Sequence, residues 1–176
     1  MVNRAIVFDK SLRAGCGEGG VLLETILMDI TSLLKKLKRW AAAQPDVVGV
    51  ALIGAYARGS ANEESDVDVI ILTTEVRKYF RDKQWVSLFG EVKETEEEHW
   101  GRVETLRAFY TDGNEIEFNF STPDWTSIPV DSGTHQVVSD GMRILLDPQG
   151  ILKAVQQVVS GEQQWKHTAN SLARTP

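Results

Sequence analysis

Asp66 and Asp68 stand two positions apart where a polar loop gives way to the apolar run Val67 to Leu72. Alternate residues of an extended strand share a face, so both carboxyl groups point the same way, with Cα atoms about 7 Å apart. Two carboxylates about 6 Å apart repel by roughly 3 kcal/mol at an effective dielectric of 20. A divalent cation between them reverses the sign of that interaction. Oxygen-only ligation suits Mg²⁺, which keeps several waters and completes its shell with substrate phosphates. A calcium loop starting at Asp66 fails, because Ile70 falls where a ligand belongs and Ile71 where the turn glycine belongs. Taken alone, the pair reads more readily as a strand end or a capped turn, since acidic residues favour turns.

The preceding residues favour the metal. Gly54 follows the apolar run Val47 to Ile53, and Ala55-Tyr56-Ala57-Arg58 has helical propensity. Backbone N–H groups at such a strand-to-helix junction point outward as an anion site. Arg58 adds a charge-assisted contact to phosphate, and Gly59 releases the chain into the loop that returns as the Asp strand. Gly54-Ala-Tyr-Ala-Arg-Gly59, a short polar loop and Ser65-Asp66-Val67-Asp68 together resemble the signature of the polymerase-β-type nucleotidyltransferases, including small bacterial and antibiotic-modifying members. The resemblance implies a glycine turn that binds a nucleoside triphosphate through Gly54, Ala55, Arg58 and Ser65. It also implies three acids that hold one or two Mg²⁺ ions while an acceptor oxygen attacks the α-phosphorus.

A third acid must then lie on a strand beside the Asp pair. Glu117 is preferred to Glu115, because it sits mid-strand between Ile116 and Phe118 while Glu115 is nearer a turn. Glu117 would bind metal, act as general base, or both. One departure is Ala55, where family members often carry serine. A hydroxyl contact to phosphate is lost there, and Ser60 or Ser65 could replace it or simply serve the turn. His99 and His135 read as surface residues without partners, and Trp100 and Trp125 as lids over the core. Arg102, Arg107 and Lys153 have no spacing that supports a phosphate role.

These groups need elements to position them. Leu22, Leu23, Ile26, Leu27, Ile30, Leu33, Leu34 and Leu37 recur at helical spacing, predicting an amphipathic helix from Val21 to about Ala43 that ends before Pro45. Val47 to Ile53 and Val67 to Leu72 read as buried strands. Thr74 caps a helix through about Asp82, Trp85 to Phe89 reads as a short strand, and Glu94 to Glu98 as a solvated loop. The segment from Arg102 to Ser121 reads as a hairpin about Asp112-Gly113. With those two as the turn, Tyr110 opposes Glu115 and Ala108 opposes Glu117. Leu106, Ala108, Tyr110, Glu115, Glu117 and Asn119 then share one face, and Val103, Phe109, Ile116, Phe118 and Phe120 form the core face. Residues 122–136 read as a loop, a short strand falls between Val137 and Gly150, and Ile151 to Val159 reads as a closing helix.

Gly15, Gly17 and Gly20 satisfy a dinucleotide-type glycine spacing, but Lys10, Ser11 and Arg13 intervene where a strand should enter, and position 40 is tryptophan. The organisation expected is a leader over 1–20, one nucleotidyltransferase-like domain over 21–160 and a polar tail over 161–176.

Of 176 residues, 42% are hydrophobic and 25% charged, the balance of one globular unit. No apolar run approaches the roughly 20 residues that cross a bilayer, so no membrane partner is expected and the location expected is cytoplasmic. A single cysteine, Cys16, excludes an internal disulfide. A net charge of −6 argues against a grip on long nucleic acid. The fold expected is α/β (α+β), a mixed sheet flanked by helices. The function expected is Mg²⁺-dependent transfer of a nucleoside monophosphate, AMP from ATP, to a hydroxyl of a small molecule or a protein. The alternative is an inactive module of the same fold, acting as nucleotide sensor or antitoxin-like partner.

Overall fold

The computed structural model describes the backbone of residues 30–62 and 65–172, and the side chains among them up to Glu162. The expected leader, its glycines, Cys16 and the first turns of the first helix lie outside the described residues. The described elements are α1 (Ile30–Ala42), β1 (Val47–Leu52), α2 (Gly54–Arg58), β2 (Val67–Thr73), α3 (Val76–Arg81), β3 (Val92–Trp100), β4 (Val103–Tyr110), β5 (Glu115–Ser121), α4 (Ser132–Asp140), β6 (Arg143–Leu146) and α5 (Ile151–Leu172). Two short 3₁₀ helices, Gln84–Leu88 and Pro123–Thr126, join them.

The strands form one mixed sheet in the order β3-β4-β5-β2-β1-β6, flanked by helices on both faces. β2 and β5 pair in parallel, and every other neighbouring pair is antiparallel. One face packs Val50, Leu52, Val69, Ile71, Leu106, Phe118 and Phe120 against α1 and α3. Trp40 stacks on Trp85 at 4.9 Å between centroids, and Tyr79 on Phe120 at 4.9 Å, which closes that layer with aromatic contacts. The other face packs Ala51, Ile70 and Leu72 against Trp125, Val138, Leu152, Val155 and Val159. That second cover is partial, and the uncovered part of the sheet carries the charged residues of the site.

Several expectations from sequence are corrected. Glu94 to Glu98 lie within a strand, β3, because ladder bonds to β4 supply the order that glutamates lack intrinsically, and an edge strand keeps their charges in water. The segment from Trp85 to Phe89 is a 3₁₀ turn: Trp85 donates from Nε1 to the Tyr79 carbonyl at 3.0 Å and reaches the aromatic cluster from a coil of the chain. Thr74 does not cap α3; the hydroxyl of Thr73 accepts from the Glu75 N–H at 3.0 Å instead. The segment 122–136 contains α4, started by Asp131, whose side chain accepts from Gly133 N and Thr134 N.

The hairpin register also differs by one residue. Tyr110 N donates to the Asn114 carbonyl at 2.9 Å, so the loop is Thr111-Asp112-Gly113, with Gly113 at φ 88°. Arg107 therefore opposes Glu117, and Leu106 opposes Phe118. Leu106, Ala108 and Tyr110 join Ile116, Phe118 and Phe120 on the buried face, while Glu115 and Glu117 share the open face with Arg107.

Asp46, in the turn before β1, ties β1, β2 and α3 together. It accepts from Thr73 Oγ1 at 2.7 Å, Lys78 Nζ at 2.6 Å and Tyr79 Oη at 2.7 Å. Burial alone would raise its pKa; the hydrogen bonds from Lys78, Tyr79 and Thr73 outweigh that and hold it at about 2. A depressed pKa contributes stability above the ordinary value of 3.8 that disappears as pH falls through about 2. Asp46→Ala is expected to destabilise the protein by about 2–3 kcal/mol at pH 7, because it also strands two hydroxyls. The gap to the parent should narrow at pH 3. Urea titrations at both values check this, and an unchanged gap would contradict the assigned cause.

Candidate active site

Asp68 lies directly opposite Glu117 in the parallel register of β2 and β5. Asp66 precedes it by two residues on the same face, and one oxygen from each of Asp66, Asp68 and Glu117 falls within 4.8 Å of the others. The structure thus brings together the three acids singled out from sequence. Glu115 lies two residues before Glu117 and turns to Arg107, whose Nε is 3.2 Å from Glu115 Oε1.

The carboxyl groups of this cluster oppose one another's ionisation. Burial, then the charges of Asp66 and Glu117, lift Asp68 to about 7. Burial also raises Glu117, against the pull of Arg107 and with a further push from Asp66. Asp68 thus holds its proton toward neutral pH, because the charges of Asp66 and Glu117 oppose its own and Arg107 offsets them only in part. A hard divalent cation would compensate these charges, and an all-oxygen donor set suits Mg²⁺. The residues present fit such an ion.

Gly54 begins α2 at φ 66°, and a Cβ there would overlap Asp68 Oδ2. Ile53 N donates to the Asp68 carbonyl at 2.9 Å, so the glycine turn and the acid strand are locked side by side. Ile53 offers α2 no side-chain cap, and the N–H groups that open a helix have no partner within the helix itself. At the other end Gly59, at φ 73°, caps α2 with a bond from its N–H to the Ala55 carbonyl, and Ser60 N reaches the same carbonyl at 3.0 Å.

Arg58 and Ser65 are less directly engaged. Arg58 is exposed, its stem passes Gly141, and it forms no ion pair among the described residues. Ser65 Oγ accepts from Asn62 N at 2.9 Å and donates to Asn62 Oδ1 at 3.2 Å, a turn closure. His135 sits on α4 beside Ser139 and Glu162, and His99 faces the opposite end of the sheet with Arg77 and Arg81.

Arg107 is the site residue that sequence reasoning passed over. It bonds Glu117 Oε1 and lies 3.7 Å from Glu98 Oε1, so one guanidinium serves acids from β3 and β5 as well as bracing Glu115. The signal was the hairpin register: a three-residue loop places Arg107 opposite Glu117, and a two-residue loop does not.

Residues 28–170 match the streptomycin adenylyltransferase family, four-fifths of the chain, including every residue of the site. The chain belongs to that family. The streptomycin adenylyltransferase match supports the nucleotidyltransferase resemblance read from Gly54 to Asp68. A Methanocaldococcus jannaschii protein called "Putative protein adenylyltransferase" is 40% identical over 45 residues, which cover 26% of this chain and 45% of that one. The chain thus spans less than half the length of that curated relative. An aminoglycoside 6-adenyltransferase from Bacillus subtilis superposes with a TM-score of 0.42 at 15% identity, over 51% of this chain and 34% of that one. A toxin-antitoxin structure with AMP-PNP gives a TM-score of 0.41 at 12% identity, over 80% and 94% of the two chains. No helix among the described residues is long and apolar enough to cross a membrane.

Proposed function

We propose that this protein transfers AMP from ATP, with Mg²⁺, to a hydroxyl group of a small molecule or a protein. The observation that carries the reading is the meeting of three carboxylates within 4.8 Å beside the Gly54 turn, in a chain of an adenylyltransferase family. The N–H groups of Gly54 and Ala55 bind the triphosphate, Arg58 adds a charged contact, and Ser65 holds the loop that follows. Asp66, Asp68 and Glu117 would hold one or two Mg²⁺ ions, which would supply neutralising charge to the phosphoryl oxygens. The acceptor oxygen bonds to the α-phosphorus as the bond to pyrophosphate breaks. Glu117 takes the hydroxyl proton, and Arg107 fixes the carboxylate for that task.

Beyond Arg107 the open face carries Glu96, Glu98 and Glu115, and this acidic wall suits an acceptor with positive charge. Incubation with α-labelled ATP, Mg²⁺ and a lysate of the native host tests the proposal. Label should pass to an acceptor, with pyrophosphate released, and EDTA should stop both. ATP binding by calorimetry with no labelled product would favour the inactive module, for which the loss of a serine hydroxyl at Ala55 speaks.

A further inference from the structure

Two residues inward from the acids, the same face of the sheet changes from charged to apolar. Ile70 follows Asp68 on β2, and Asn119 follows Glu117 on β5. With Ile53, Val103, Val137 and the indoles of Trp100 and Trp125 they line a cavity of about 170 Å³. Asn119 is the sole polar side chain in that lining. Trp125 is buried, whereas Trp100, at the end of β3, is 66% exposed, more than any other large hydrophobic side chain among the described residues. Its Nε1 donates to Glu98 Oε2 at 3.0 Å, which tethers the indole at the cavity.

We propose that this slot takes the nucleobase of the donor nucleotide, with Trp100 stacking on it and Asn119 reading its edge. The inference rests on the functional reading above. Ile70 and Asn119 are about 7 Å along their strands from Asp68 and Glu117, a gap that a ribose spans between an α-phosphate at the acids and a base in the slot. The two molecules that must meet at the acids differ in polarity. The acceptor side, toward β3, is lined by Arg107, Glu98 and Glu115 and suits a polar hydroxyl compound. A flat base with apolar faces suits two indoles and four aliphatic walls, because stacking on aromatic rings holds any base.

Asn119 adds selectivity. Its Oδ1 accepts from Thr105 Oγ1 at 2.6 Å and its Nδ2 donates to the Glu117 carbonyl at 3.4 Å. An amide has two donors and two acceptor sites, so one of each remains. That is the pair with which an asparagine side chain meets the donor and acceptor edge of adenine.

The test compares two probes by calorimetry in Mg²⁺: α,β-methylene-ATP, which cannot be cleaved at the reacting bond, and inorganic triphosphate, which has no base. Trp100→Ala removes the stacking ring at an exposed position, and Val137→Phe fills the slot from the half-buried face of α4. Each is expected to raise the Kd for the nucleotide at least about tenfold, the scale of one lost base stack, and to leave the Kd for triphosphate within twofold. Trp100→Phe should retain most of the nucleotide affinity. Nucleotide Kd values within twofold of the parent in both variants would overturn the slot. So would equal losses for both probes, or a rise confined to the KM of the acceptor. If the parent binds neither probe, the functional reading falls as well; if it binds both equally tightly, only the slot falls.

Discussion

Asp68→Asn is expected to lower Mg²⁺-dependent nucleotidyl transfer by at least about 10³-fold, the scale of losing one preorganised charge at a reacting phosphate. The same change should stabilise the metal-free protein at pH 8 by about 1–2 kcal/mol, because it removes one of three mutually repelling charges. The sign follows from the raised pKa. The unfolded chain releases this proton near 3.8 and the folded chain near 7, so folding takes up a proton between those values. Stability falls as pH rises through that window, and asparagine escapes the fall. The gain should be complete above about pH 7 and absent below pH 3.8. Thermal melts in EDTA across pH 5 to 8, beside pyrophosphate-release rates, check both halves. Added Mg²⁺ should raise the melting temperature of the parent and not of the variant, since only the parent gains binding energy in the folded state. Undiminished transfer would remove Asp68 from the chemistry; a variant less stable than the parent at pH 8 would show that the repulsion is not what the fold tolerates there.

That trade between stability and function also explains which parts of the protein could be read from its sequence. Val47 to Ile53 and Val67 to Leu72 announce themselves as strands because both faces of a central strand are covered, so the whole run is apolar and charge enters only at Asp66 and Asp68. The charges that break this rule belong to the candidate site. Glu94 to Glu98 hide for the opposite reason: the strand is ordered by its partner and not by its own residues, and nothing local distinguishes a glutamate-rich edge from a solvated loop. Arg107 hides behind a turn. Asp112-Gly113 signals a hairpin equally well with two loop residues or three, yet the choice decides whether Arg107 or Ala108 lies opposite Glu117. Glu117 lies beside Asp66 and Asp68 whichever loop length holds, because that meeting follows from its place in β5 and not from its neighbour on β4. Trp85 illustrates a related limit, since a buried aromatic run fits a strand or a tight coil until the surface it meets is known.

Gly54 and Gly59 offer a paired experiment on the turn that bounds α2, because both adopt left-handed backbone conformations, with φ of 66° and 73°, yet only one is crowded. A Cβ at Gly54 would overlap Asp68 Oδ2, whereas a Cβ at Gly59 would meet nothing within 4 Å. Alanine at either position incurs the left-handed backbone cost of about 1–2 kcal/mol. Only at Gly54 must the carboxylate also move or the turn open, and a displacement of about 1 Å at a reacting centre costs on the order of 10²-fold in rate. Gly54→Ala is therefore expected to lower transfer at least about 10²-fold and stability by about 2–3 kcal/mol, combining backbone strain with overpacking. Gly59→Ala should lose about 1 kcal/mol and less than about tenfold in rate, since its strain acts on a helix end away from the acids. Urea titrations in EDTA give the stabilities, and pyrophosphate release at saturating Mg²⁺ gives the rates. Equal losses of activity in the two variants would mean that left-handed geometry alone, and not the contact with Asp68, is what position 54 requires. The expected inequality would instead show why no side chain fits there: the turn and the carboxylate must touch for triphosphate and metal to share one site.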